Sequence, residues 1–175
     1  GDEFSFFLKK RIPPGDTPEQ CKGLAKEDWL DLQEADYIPR SRPNLYRIEK
    51  DDAASNGLTR RMPNTHTIWA CHSYPLGDYG VTDGSRWCVY MRVRCDANTD
   101  VGPAMTVGVY DDATRRDIVS RRIPVETLRK KEYRIINLGA HRLGKLAYAW
   151  AAPVVRDRDE VHAVYVDRVF MIREK

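Results

Sequence analysis

The chain has 175 residues, of which 42% are apolar, and its 29 Lys and Arg stand against 26 Asp and Glu for a net charge of +3. That is one domain's worth of chain with enough apolar content for a full core, and no apolar run is long enough to cross a bilayer. Basic pairs such as Arg60-Arg61, Arg115-Arg116 and Lys130-Lys131 are scattered among acidic neighbours. A nucleic-acid binder gathers them on one face beside stacking aromatics, so nucleic acid is not the expected partner.

Residues 4–12, FSFFLKKRI, alternate as a strand with Phe4, Phe6, Leu8 and Ile12 on one side. The stretch PPGDTP then breaks the chain, and residues 18–31 read as a short helix or ordered connector weakened by Gly23. Residues 1–30 are accordingly a lead-in or linker, and residues 31–175 the domain proper. From residue 32 onward the segments LYRIEK, LTRRM, HTIWACH, RWCVYMRVRC, AMTVGVYD, DIVSRRI, EYRIINL, LAYAWAAP and HAVYVDRVFMIR are rich in Val, Ile, Tyr, Trp and Thr. Turn chemistry separates them. Asn56-Gly57 tolerates positive φ and marks a hairpin, Asp111-Asp112 reads as a hairpin turn, and VETLRKKE can make one helical turn, too short for a packing layer. Many short strands at steady spacing predict an all-β sandwich or barrel.

Catalytic motifs do not stand out. The chain contains no GxSxG elbow, no HExxH pair and no GxxxxGK[ST] loop. His66, His72, His141 and His162 are scattered, and no spacing among the carboxylates singles out an acid–base pair. Cys21, Cys71, Cys88 and Cys95 lack CxxC spacing, which favours buried free thiols and leaves a Cys71–Cys88 bridge as an alternative. By alternation Trp87, Val89, Met91, Val93 and Cys95 share a face, so Trp87 is expected in the core, with Trp69 and Trp150 read the same way. Asp96, Asn98 and Asp100, in CDANTDVGP, have the spacing of a cation loop, but Asp and Asn are also what a plain hairpin turn wants.

The loop HSYPLGDYGVTDGSRW, residues 72–87, is the strongest surface candidate. Tyr74 and Tyr79 offer aromatic faces for the C–H groups of a sugar, and Asp78, Asp83 and Arg86 offer planar hydrogen-bonding groups. The alternative is a long connection whose tyrosines fold back over the core. Arg40, Arg42, Asn44 and Tyr46 form a weaker second wall. At the far end Asp167 interrupts the apolar strand YVDRVFMI, where a lone carboxylate needs a partner or an ion.

Taken in order, LQEADY as a first strand, DDAASNGLTRRMP, RWCVYMRVRCD, VGVYD, EYRIINLG and YVDRVFMI resemble the galactose-binding-like jelly roll of non-catalytic carbohydrate-binding modules. The resemblance is to families 6 and 35 and to accessory domains of bacterial polysaccharide-degrading proteins. It implies a secreted, periplasmic or cell-surface module that binds a polysaccharide or oligosaccharide beside a catalytic domain of the same parent protein. It also implies a structural calcium between first and last strands. Asp167 matches the last-strand ligand, and the first-strand positions fall on Gln33, which can offer an oxygen, and Ala35, which cannot. Asp167 is then structural, with a nearby arginine as the alternative partner. Two other functions compete: a structural or protein-interaction sandwich without sugar binding, and a small jelly-roll glycoside hydrolase or polysaccharide lyase.

Overall fold

The computed structural model describes residues 15–42 and 44–175; the strand expected over 4–12 lies outside them. The described residues form ten strands: β1 (Trp29–Leu32), β2 (Arg47–Lys50), β3 (Leu58–Pro63), β4 (Cys71–His72), β5 (Arg86–Ala97), β6 (Pro103–Asp111), β7 (Arg116–Pro124), β8 (Arg134–Arg142), β9 (Ala147–Pro153) and β10 (Val161–Arg173). They make two antiparallel sheets. The first runs β2-β3-β10-β5-β8 with β1 also on β10, and the second runs β4-β9-β6-β7. This is the predicted all-β sandwich.

Strict alternation explains how the layers meet. Trp87, Val89, Met91, Val93 and Cys95 of β5 and Val164, Val166, Val169 and Met171 of β10 point inward. They pack on Met105, Val107 and Val109 of β6 and on Ala147, Ala149 and Ala151 of β9. Trp87 is thus a core residue, as its face required. Cys21, Cys71, Cys88 and Cys95 are all free thiols, and no Cys71–Cys88 bridge forms.

Three local expectations change. LQEADY is not the first strand. WLDL fills that place, and Glu34–Asp36 form a 3₁₀ turn because Asp36 Oδ2 accepts the Gln33 N–H at 2.9 Å. A side chain that bonds its own upstream backbone competes with a sheet ladder. HTIWACH shrinks to β4, because neighbouring carbonyls are taken by side chains: Arg60 Nη1 donates to Ala70 O at 2.8 Å and Arg40 Nη2 to Trp69 O at 3.2 Å. CDANTDVGP is not a hairpin turn, since β5 and β6 belong to opposite sheets. The β6–β7 hairpin does turn at Asp111, whose carboxylate caps Ala113 N and Thr114 Oγ1.

Residues 29–32 pair with Val169–Ile172 of β10, while β3 pairs with Ala163–Val166 on the same edge. Asp167 and Arg168 fall in the gap between these two partners. On the opposite edge the β5 register skips from Val166 to Arg168, so Asp167 is the extra residue of a β-bulge. The bulge keeps Val164 and Val166 and then Val169 and Met171 all facing the core.

Candidate functional site

The outward face of the second sheet carries an aromatic cluster. Because alanines occupy the inward positions of β9, the alternate residues Tyr148 and Trp150 must face out. Trp150 lies opposite His72 of β4 and Gly108 of β6, and Tyr148 lies opposite Tyr110. A Cβ at position 108 would come within 2.7 Å of the Trp150 ring, so the bare glycine is what lets the indole lie down on the sheet. Trp69, from the connection after β3, then stacks on Trp150 at 3.9 Å between centroids with planes 3° apart. It meets Tyr110 edge-on at 5.5 Å and Tyr148 at 6.3 Å. His72 rests on Tyr148 at 3.8 Å.

Trp150 is buried by this stacking, while Trp69, His72, Tyr110 and Tyr148 remain half-buried with their outer surfaces in solvent. The expectation that Trp69 and Trp150 belong to the inter-sheet core is therefore corrected. Neither is part of it, because the alanines of β9 hold that side. Two anchors fix the platform. Arg60, fully buried and lying over the Tyr46 ring at 3.9 Å, holds the Ala70 carbonyl, and Arg40 holds that of Trp69. Burial, reinforced by Arg40, lowers the His72 pKa to about 4, against an opposing pull from Asp112. His72 is thus a neutral ring at physiological pH, able both to donate and to accept. The phenol of Tyr148 is raised by burial and by Asp112, and stays protonated.

The residues expected from the 72–87 loop do not converge. Tyr79 packs against the core and its O–H donates to Asp36 Oδ1 at 3.0 Å, and the Tyr74 N–H donates to Asp36 O at 3.1 Å. Asp78 is exposed. Asp83 pairs with Arg173 at 3.1 Å, and Arg86 faces Glu174 at 3.6 Å. The loop is a 3₁₀ turn, Leu76–Tyr79, closed by Gly80 at φ +88°, and Tyr79 folds back over the core. Of the second wall, Arg40 and Tyr46 join the platform's support: the Arg40 N–H donates to Tyr46 Oη at 3.3 Å.

Asp167 and Gln33 do come together, through Ser55. Asp167 Oδ1 accepts from Ser55 N and Oγ, both at 2.9 Å, and its Oδ2 accepts from Arg92 Nη1 at 2.6 Å. Gln33 turns its amide nitrogen to Asp31 at 2.8 Å and to Ser55 Oγ at 3.2 Å. Beside them, Arg168 makes a bidentate pair with Asp31, Nε and Nη2 each at 2.9 Å, and also holds the Asp16 carboxylate and carbonyl. Calcium takes six to eight oxygen ligands. Among the described residues no group of three or more His, Cys, Asp or Glu is placed to hold a metal. With guanidinium groups already on Asp167 and Asp31, the donor set fits an arginine clasp and does not fit calcium. The first strand is still fastened to the last by a cation on a carboxylate, here Arg168 of β10 on Asp31 of β1, while Asp167 is held separately by Arg92 of β5.

Glu34, fully buried, accepts from Asn56 Nδ2 at 3.0 Å on one oxygen and has no partner among the described residues on the other. Burial raises its pKa to about 8 from 4.5. The folded chain therefore keeps a proton that the unfolded chain releases as pH rises through 4.5. Stability should fall between these two values, by up to about 1.4 kcal/mol per pH unit, and level off above the upper one. Glu34→Gln should flatten that slope in chemical denaturation series at stepped pH; an identical slope in the variant would assign the loss to another group.

The fold is that of the jelly-roll β-sandwiches used by carbohydrate-binding modules. No family model matches the chain, and no curated protein does. Among solved structures, a family 35 carbohydrate-binding module from Clostridium thermocellum is similar at TM-score 0.51 and 10% identity over 82% of this chain and 98% of its own. The CBM22-1 xylan-binding domain from Paenibacillus barcinonensis Xyn10C is similar at TM-score 0.50 and 13% identity, covering 83% and 95%. The CBM22-1–GH10 modules of Clostridium thermocellum xylanase 10B, complexed with xylohexaose, give TM-score 0.49 and 13% identity over 85% of this chain; this chain spans 26% of that one. The likeness is one of fold.

Proposed function

We propose that this chain is a non-catalytic carbohydrate-binding module that grips glycan on the aromatic face of its second sheet. The observation that carries the reading is the half-buried cluster of Trp69, Tyr110, Tyr148 and His72, held flat by the buried Trp150. A pyranose ring has an apolar face of C–H groups and a rim of hydroxyls. Rigid aromatic surface meets the first at little entropic cost, and a neutral imidazole, phenol hydroxyls and the Arg40 guanidinium meet the second. A cluster of half-exposed aromatic rings on a solvent face suits a ligand. The similar fold of a xylan-binding domain supports a polysaccharide as that ligand.

In this reading the module acts outside the cytoplasm, secreted, periplasmic or at the cell surface, and keeps a linked glycan-degrading enzyme near its substrate. Affinity gel electrophoresis across neutral polysaccharides tests it: retention in at least one gel, with no release of reducing sugar or unsaturated product, is the expected result. Free migration in every gel would remove the proposal and leave the patch as a protein-docking face, and product release would make the domain an enzyme.

A further inference from the structure

At the β2–β3 end of the first sheet lies a pocket of about 320 Å³ lined by Asn44, Tyr46, Arg47, Arg61, Thr65 and Arg158. Its walls come from five places in the chain: the segment before β2, strand β2, strand β3, the connection after β3, and the β9–β10 connection. Three guanidinium groups therefore meet in one concavity, and Asn44 turns the backbone there at φ +69°. Among the described residues one carboxylate answers them. Glu49 Oε2 lies 2.9 Å from Arg47 Nε and 3.9 Å from Arg61 Nε. Arg158 is exposed and pairs with no carboxylate among the described residues. Three positive groups against one negative leave two charges unmatched, in a cavity that also offers a phenol, an amide and a hydroxyl. Arginine in such numbers suits oxyanions, two of whose oxygens it binds through paired N–H donors.

The pocket and the aromatic face are joined. Thr65 lines the pocket and Trp69 crowns the platform, four residues apart, so at most about 14 Å of extended chain separates them. Tyr46, a wall of the pocket, accepts from Arg40, which holds the Trp69 carbonyl. We propose that the pocket takes an anionic substituent, carboxylate or sulfate ester, of the glycan whose rings lie on the platform. This rests on the platform reading and narrows it to an acidic polysaccharide.

The test compares matched polymers by affinity electrophoresis: carboxymethylcellulose against hydroxyethylcellulose for the carboxylate, and dextran sulfate against dextran for the sulfate ester. The charged member of at least one pair should bind about tenfold more tightly, and the pair in which this happens names the substituent. Arg61→Gln with Arg158→Gln should erase that preference and leave retention by the neutral polymer as it was. A charge-matched control, Lys22→Gln with Lys26→Gln, should leave the preference intact. Equal loss in both double variants, or none in the arginine pair, would overturn the pocket as an anion site. If Trp69→Ala leaves all retention unchanged while the arginine pair removes the preference, the pocket stands and the platform reading falls.

Discussion

Trp69→Ala should weaken glycan binding by about 2 kcal/mol, roughly thirtyfold, while the protein remains folded. The size follows from its place. Trp69 is the outermost ring of the stack, touching Trp150 face to face and Tyr110 and Tyr148 edge to face, so its removal deletes the widest flat surface a sugar can meet. The fold should tolerate the change, because Trp69 stands outside the inter-sheet core and its carbonyl, not its ring, is what Arg40 holds. Isothermal titration with a retained oligosaccharide gives the affinity, and thermal melting gives the control. Unchanged affinity in a native-like variant would take the platform out of binding. Trp150→Ala is the less informative choice, since the buried ring fills the space over Gly108 and its loss would disturb the sheet.

Arg168→Met should destabilise the domain by about 3–5 kcal/mol, because it strands the Asp31 carboxylate that Arg168 clasps bidentately. For a chain of this size that corresponds to a melting point lower by about 10 °C. Asp31→Asn should cost a similar amount from the other side. The two effects should not add, since both remove one interaction and Asp31 and Arg168 share it. A chelator should leave the melting point of the unaltered protein where it was, because the cation holding first strand to last is a side chain. A clear drop with chelator, restored by calcium, would contradict the clasp, as would near-neutral single variants. Both results would reinstate the ion that the family resemblance implies.

The sandwich was legible because alternation is a property of single strands. The inward face of β5 could be read from Trp87 to Cys95 without knowing any partner, and Asp111 announced its own turn by capping chemistry. The need of Asp167 for a partner was equally readable. Its partner was not, because Arg92 and Ser55 arrive from strands and loops far away in sequence. The first strand slipped from LQEADY to WLDL for a local reason, the Asp36 cap, which hydrophobic pattern does not weigh.

The aromatic face was missed through a habit of reading large apolar residues as core. The signal was present in residues 147–152, AYAWAA, where alanine marks one face of a period of two and Tyr and Trp the other. A core face made of alanine leaves the rings outside. What no local pattern shows is that Trp69, from an irregular segment, lands on Trp150; two arginines holding main-chain carbonyls put it there. The loop of residues 72–87 had the composition of a sugar site, but Asp36 draws the Tyr79 side chain inward and its carbonyl holds the Tyr74 main chain.

Heteronuclear NMR of the labelled protein, titrated with an oligosaccharide from any polysaccharide that retains it, puts the central claim to its most direct test. The account predicts that the indole N–H signals of Trp69 and Trp150 and the amides of β4, β6 and β9 around His72, Gly108, Tyr110 and Tyr148 shift together and saturate. Shifts centred on Tyr74, Asp78, Tyr79, Asp83 and Arg86, with the sheet face unmoved, would contradict it and return the site to the loop.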